Sequence, residues 1–351
     1  MTKHLYIHIP FCKNICTYCD FVRIRTNDIN LITNYCNEII RQVKLTSEPG
    51  QYKTIYIGGG TPNYIPDNIL EVFLFELSKY IDYSSEYEFT IECNPEFLTS
   101  DQAKIFYNNK INRVSIGGQI LNNKILKLLN RHHNKYDIVN AIKNCYNNNI
   151  NNISVDFIYN LPFMTIQDID DIFDFIKLHK IPHVSFYSLE LKENSILNKK
   201  KYKLNLENDE QQFIYIKSKF EEINYQRYEI SNWAINEQYF AKHNLAYWNS
   251  KSWKAIGNGA HGFEYKKIYK IKKDNKNKYF VEIDDMNLED YYFQIIMMGL
   301  RLTKGINISI EPYKSAYIFF KDKIKNCTID NNYLRCNNID LLDDLLLNLL
   351  D

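Results

Sequence analysis

Cys12, Cys16 and Cys19 stand in a C-x3-C-x2-C arrangement within the stretch LYIHIPFCKNICTYCDF, directly after a short apolar run. Three thiolates this close on one loop can grip an iron–sulfur cluster. A [4Fe-4S] cube offers four iron corners, so three cysteines leave one iron without a protein ligand, as catalytic zinc sites keep a position free for substrate or water. Two other chemistries could use the same residues: a zinc ion completed by His8 or Asp20, or a disulfide. The other cysteines, at 36, 93, 145, 327 and 336, are scattered, unlike a small secreted disulfide framework, and the reducing cytoplasm is the expected compartment.

The elements that must position these cysteines are legible as alternation. Apolar, β-branched runs at 5–9, 54–57, 88–91, 113–116, 153–158 and 184–188 are strand candidates. Helical patterns separate them, at 28–45 with Leu31, Ile32, Tyr35, Ile39 and Val43 in phase, at 67–80, from the capping residues Thr99, Ser100 and Asp101, up to about 146, and from about 168. Six βα units predict a parallel sheet, an α/β fold of the partial (β/α)6 barrel kind. In such a barrel the loops at the carboxyl ends of the strands share one face and build the site. Six motif-bearing loops therefore converge: the cysteine loop, Gly58-Gly59-Gly60-Thr61-Pro62, Glu92-Cys93-Asn94-Pro95, Gly117-Gly118-Gln119, residues 156–162, and Tyr187-Ser188-Leu189-Glu190. Three consecutive glycines followed by Thr-Pro exceed what a turn needs and let backbone approach a ligand.

Length and charge set the frame. The 351 residues can hold one large barrel and a smaller appendage, and the 43 basic residues nearly cancel the 42 acidic ones, so nothing marks the chain as a nucleic-acid binder. No apolar run approaches the roughly 20 residues that span a bilayer, so a cytoplasmic protein is expected. The Tyr, Phe and Asn richness, with 28 tyrosines and 20 phenylalanines, is compositional drift.

The cysteine spacing resembles that of the radical S-adenosylmethionine (SAM) family. Tyr6, His8, Ile9, Pro10 and Phe11 before Cys12, and Tyr18, Asp20 and Phe21 around Cys19, are similar to the group that holds the oxygen-independent coproporphyrinogen III dehydrogenases and their heme-chaperone relatives. The resemblance covers nearly the whole chain. It implies a [4Fe-4S] cluster on Cys12, Cys16 and Cys19, whose open iron chelates the amino and carboxylate groups of SAM. It places Gly58, Gly59, Gly60 and Thr61 at the SAM amino group and a SAM-binding carboxylate at Glu92, whose bland alternative is a surface residue. Tyr6 and Tyr18 match further SAM contacts, and Gln119, Arg131 and Asp156 match residues that contact SAM in the dehydrogenases, where a second SAM is held. Two departures bear on that second site: Gly118 stands where a bulkier residue is expected, and Asn160 replaces a glycine, Asn being the residue most able to take the left-handed conformation instead.

Beyond Glu190 the pattern changes: a polar connection over 191–212, a helix over 210–224, then the runs His243-Asn244-Leu245-Ala246-Tyr247-Trp248 and Gly257-Asn258-Gly259-Ala260-His261-Gly262. The H-N-x-x-Y-W run resembles the heme-chaperone branch. On a helix His243 and Tyr247 share a face; imidazole is a common axial ligand of heme iron, and Tyr247, Trp248 and Trp253 offer flat apolar surface. His243, Tyr247, Trp248 and His261 are accordingly the heme-binding candidates. The competing reading makes the aromatics a seal on the barrel's open side and His243 a hydrogen-bonded core residue.

Position 21 is Phe where the dehydrogenases carry a further cysteine, and Cys12 leaves no room for their N-terminal extension. The resemblance then implies a heme chaperone that binds heme, holds a SAM-ligated cluster and passes heme to an acceptor protein of unknown identity. The alternative is an enzyme that uses reductive SAM cleavage to decarboxylate coproporphyrinogen III. No catalytic residue is assigned. The expected units are a radical SAM core over 1–230, an aromatic and histidine segment with a hairpin over 231–287, and a shortened, mainly helical dehydrogenase-type C-terminal domain over 288–351. The Lys-rich hairpin at 264–280 is read as a solvated edge, with a partner or membrane-surface contact as the other possibility.

Overall fold

The structure is a computed structural model and describes residues 1–274 and 278–350. Six strands run parallel and side by side: β1 (His4–Ile9), β2 (Thr54–Gly59), β3 (Glu88–Cys93), β4 (Arg113–Gln119), β5 (Asn152–Tyr159) and β6 (His183–Ser188). They are the six expected, most of them extended by a residue or two. The helices that return the chain are α1 (Ile29–Thr46), α2 (Asp67–Ser78), α3 (Ser100–Asn108), α4 (Asn123–Leu128), α5 (Lys135–Asn147) and α6 (Ile166–His179). Their starts are chemically marked: Asp28 and Thr99 accept backbone N–H bonds as N-caps, and Asn134 and Thr165 form full capping boxes with Asp137 and Asp168.

The strands alternate strictly. Ile55 and Ile57, Phe89 and Ile91, Val114 and Ile116, and Ile153 and Val155 are fully buried in the main core cluster, beneath the helices. Their neighbours in register carry a polar face instead: His4 opposite Thr54, Thr54 opposite Glu88, Ser115 opposite Ser154, and Asp156 opposite Ser185. A parallel sheet buried on both sides is ordinarily apolar on both. Here the inner face lines a lumen.

Three short strands extend the sheet to nine. β7 (Gln226–Arg227) and β8 (Asn232–Ala234) lie beyond β6, with β8 antiparallel to it, and β9 (Lys254–Ile256) joins β1 in parallel. The order β9-β1-β2-β3-β4-β5-β6-β8-β7 has two free ends, so the barrel is open. Between these strands lie α7 (Leu206–Glu222) and α8 (Lys242–Trp248).

A second sheet of three strands follows, β10 (His261–Glu264), β11 (Lys267–Lys273) and β12 (Tyr279–Asp285). Residues 275–277 of the expected Lys-rich hairpin lie outside the described residues. Lys272 pairs with Glu282 at 2.7 Å and Lys267 with Asp285 at 3.7 Å, so acids of β12 answer the lysines of β11, as on a solvated edge. The last elements are α9 (Leu288–Gly299), α10 (Tyr313–Phe320) and α11 (Leu342–Leu350), with a small sheet of β13 (Ile306–Asn307), β14 (Cys327–Asp330) and β15 (Tyr333–Cys336) that the sequence pattern did not suggest. Ile295, Ile296, Phe320 and Leu345 centre a separate apolar cluster there, against which Ile230 and Trp253 also pack. Among the described residues no helix is long and apolar enough to cross a membrane.

Candidate functional site

A cavity of about 400 Å³ opens at the carboxyl ends of the six parallel strands. All six loops reach it: Cys12, Cys16 and Cys19 from the first, Gly59, Gly60 and Thr61 from the second, Glu92 and Asn94 from the third, Gln119 from the fourth, Asp156 from the fifth, Tyr187 and Glu190 from the sixth. Tyr18 and Arg131 complete the wall. Two expected residues are not on it. Tyr6 is turned to His8, its hydroxyl 3.1 Å from His8 Nδ1, and Gly58 sits behind Glu92, where an added Cβ would come within 2.8 Å of the carboxylate.

The cysteine loop is held by the glycine run. Gly60 N donates to Ile9 O at 2.7 Å and Thr61 N to Phe11 O at 2.8 Å, drawing the Gly-Gly-Gly-Thr segment against Cys12. A Cβ on Gly60 would lie 2.9 Å from Cys12 Sγ. Gly59 has φ +110°, and its Cβ would fall 2.5 Å from His8 Cε1. Both glycines are therefore demanded by the packing of His8 and Cys12, whatever the cavity binds.

All eight cysteines are free, which sets the disulfide aside. The zinc alternative loses its histidine, because His8 Nε2 is bonded to Val22 O at 2.8 Å while Nδ1 faces Tyr6. Among the described residues no group of three or more His, Cys, Asp or Glu is placed to hold a single metal ion. A cube differs in taking each thiolate at a separate corner, and for it the donors fit. Three free thiols line one wall of one cavity, and the Arg131 guanidinium reaches Cys16 Sγ with Nη1 at 3.6 Å, its Nε buried without a partner. Burial pushes the Cys12 thiol up, with a hydrogen bond to Thr61 pulling it back, and pushes Cys19 up to about 11. Thiols so placed ionise when a cation arrives to replace the lost solvation.

The carboxylates are set by their partners. Glu92 accepts from Tyr56 Oη at 2.7 Å and from Gly59 N at 2.9 Å; burial raises its pKa against these two bonds. It is thus half-buried on the cavity wall, not a surface residue. Asp156 accepts from Ser115 Oγ at 2.9 Å and Ser154 Oγ at 3.0 Å, and burial raises it as well. Arg131 ties three loops together through Cys16, Asn94 Oδ1 at 3.0 Å and Gly117 O at 2.6 Å. Gln119 takes a left-handed φ of 62°, at the point where β4 slips register against β5. The space a side chain at Gly118 would need is held by Val155, 2.9 Å from its Cβ position, and Asn160 does take the left-handed conformation, with φ 58°.

Sequence reasoning missed the residues deep in the lumen. Arg113, 2 % exposed, lines the cavity with its Nε unpartnered, beside Ser115, Ser185 and Tyr56. The signal was the polar alternation in R-V-S-I-G, H-V-S-F-Y and T-I-Y-I-G, which reads as a strand with one wet face.

The heme candidates separate. His243 is in the core, 0 % exposed, with Nδ1 2.6 Å from Thr54 Oγ1 and Nε2 2.7 Å from Tyr247 Oη. Both ring nitrogens are spent, so the expectation of a heme ligand here gives way to the hydrogen-bonded core residue. Tyr247 is committed to His243 and packs on Trp253 at 4.4 Å between centroids; Trp248 is half-buried with Arg301 over its ring at 5.5 Å. His261 alone of the four is exposed, on β10.

Compared with known protein families, residues 6–176 match the radical SAM superfamily. A protein of Lactococcus lactis named heme chaperone HemW is 33% identical over 264 residues, 74% of this chain and 69% of its own length. Its namesake in Buchnera aphidicola from Schizaphis graminum is 32% identical over 362 residues, covering 97% of this chain and 93% of the other. The chain is a HemW-like member of the radical SAM family. Among solved structures, the radical SAM enzyme coproporphyrinogen III oxidase (HemN) of Escherichia coli superposes with a TM-score of 0.78 over 99% of this chain and 90% of its own, at 17% identity. At that identity it speaks for the fold alone. The HemW-like and HemN folds thus share the open barrel and the C-terminal unit seen here. Family membership implies SAM and a [4Fe-4S] cluster as cofactors.

Proposed function

We propose that this protein is a cytoplasmic heme chaperone that binds heme, holds a SAM-ligated [4Fe-4S] cluster and passes heme to an acceptor protein. The observation that carries it is the set of three free thiols on one wall of the strand-end cavity, in a chain about a third identical to proteins named heme chaperone HemW. Cys12, Cys16 and Cys19 would hold the cluster, with Gly59, Gly60, Thr61 and Glu92 beside its open corner for the SAM headgroup. When bound, the cluster supplies an electron and a chelating iron. The protein's part is geometric and electrostatic: Arg131 offsets thiolate charge at Cys16, Glu92 presents a carboxylate fixed by Tyr56, and Gln119 and Asp156 shape the far wall. Tyr6 and Gly58 act from behind that wall.

For heme, His261 is the favoured ligand, because alone of the four candidates it is exposed, on β10; partial burial of its ring and the nearby Lys270 lower its pKa, towards the neutral form that can ligate iron. Trp253, packed on Tyr247 and Phe263, fixes the backbone of this residue through its indole N–H, which donates to His261 O at 2.8 Å. Anaerobic heme titration of the reconstituted protein, followed by absorbance beside His261→Ala, tests this. Saturable binding weakened by the substitution supports the chaperone. Absence of saturable binding, together with vinyl products from coproporphyrinogen III, SAM and a reductant, would replace it with the decarboxylase.

A further inference from the structure

The histidine of the H-N-x-x-Y-W segment is turned into the protein and not towards solvent. Helix α8 lies inside the open barrel with its amino end on the Glu88 carboxylate, which accepts from Lys242 N at 2.7 Å and His243 N at 3.0 Å. Glu88 is 3 % exposed at the start of β3, so the helix plugs the end of the lumen opposite the cysteine loop. From there a chain of contacts climbs to the cavity. The His243 ring, bonded to Thr54 and Tyr247, stacks on Tyr56 with centroids 5.2 Å apart. Tyr56 donates to Glu92 at 2.7 Å, and Gly59 N closes on the other oxygen of Glu92. Tyr247 stands close enough for Glu92 to raise its phenol, after burial, the larger cause. One residue after His243, Asn244 lines the cavity, and its amide makes no hydrogen bond among the described residues.

We propose that α8 is the floor of the cofactor cavity: Asn244 is a ligand-binding residue whose amide meets the bound SAM, and His243 and Tyr247 are positioning residues that fix Tyr56 and, through it, Glu92. The floor reading explains why this segment is rich in aromatic and amide groups while its histidine has no surface. It rests on the SAM reading above and assigns the motif to that cofactor instead of heme.

The test uses anaerobically reconstituted full-length protein. SAM affinity is measured by equilibrium dialysis, the electron paramagnetic resonance spectrum of the reduced cluster is recorded with and without SAM, and heme is titrated in parallel. Asn244→Ala and Tyr247→Phe are each expected to weaken SAM about tenfold, the worth of roughly one buried hydrogen bond, and to change the SAM-dependent spectrum, with heme binding intact. Asn244 sits on the cavity wall, so its variant keeps the test alive if the Tyr247 substitution impairs folding. Loss of heme binding in Asn244→Ala, or unchanged SAM affinity in both variants, overturns the proposal. Failure of the unsubstituted protein to bind SAM would instead bring down the cofactor reading, and this one with it.

Discussion

Arg131 shows how a single side chain can gather a site: its guanidinium contacts Cys16, Asn94 and Gly117, one residue from each of three loops, and keeps a buried Nε unpartnered. Replacing it with Met removes the cation beside the thiols, and the expected outcome is faster loss of iron from the reconstituted protein on dilution, measured by iron content against time. Cys16→Ala is expected to abolish the visible cluster absorbance and lower bound iron, while the cluster-free variant differs in thermal stability from the cluster-free unsubstituted protein by no more than about 0.5 kcal/mol, because Cys16 lies on a half-exposed loop outside the strands. Glu229 gives a pH prediction. It is 2 % exposed, and burial pushes its carboxyl from 4.5 up to about 7 against hydrogen bonds from Asn232 and Ser231. The folded state holds this proton more tightly than the unfolded chain does. Its contribution to stability is therefore full below pH 4.5 and fades as pH rises to about 7, a loss of about 3 kcal/mol. Glu229→Gln should raise the melting temperature at about pH 8 and leave it nearly unchanged at about pH 4.5; equal shifts at both would contradict the assignment.

At the scale of elements, the carboxyl end of β2, where Gly59 sits, is tightly constrained. With φ +110° and His8 Cε1 2.5 Å from the position of a Cβ, Gly59→Ala forces both backbone strain and displacement of the His8 ring. The expected cost is more than about 2 kcal/mol in urea unfolding, with the cysteine loop disturbed as well, since His8 holds Val22. The six central strands were legible because each is a short apolar run set off by a helical pattern, and the capping boxes of Asn134 and Thr165 announce two of those helices in the sequence. Strands β7, β8 and β9 were not legible. At two or three residues they are too short to show a period, and β9 earns its place only by pairing with β1 some 250 residues earlier. The H-N-x-x-Y-W segment is a helix on which His243 and Tyr247 meet, but its spacing is the same whether the face meets porphyrin or the inside of a barrel.

Across the whole molecule, the C-terminal unit is pinned to the barrel by Asp340, which takes Arg227 and Lys217 at 2.5 Å each. Burial raises this carboxyl, but the two cations outweigh it and hold it below its ordinary value. Asp340→Asn should loosen α11, seen as faster limited proteolysis near the carboxyl terminus with the barrel fragment intact; unchanged cleavage would show that the apolar cluster around Leu345 suffices. By itself the sequence determined the parallel α/β architecture, the convergence of six loops and the cysteine loop at their centre. Those follow from local periodicity, capping chemistry and the fixed rule that strand ends share a face. Only the tertiary structure decided which residues are spent on one another. His243 is consumed by Thr54 and Tyr247, Tyr6 faces His8, and Gly58 stands behind Glu92, while Arg113 and Asn244 are turned into the cavity. Burial and hydrogen-bond partnership are set by residues distant in the chain, so a motif can reveal that a side chain is able to bind without revealing whether it is free to.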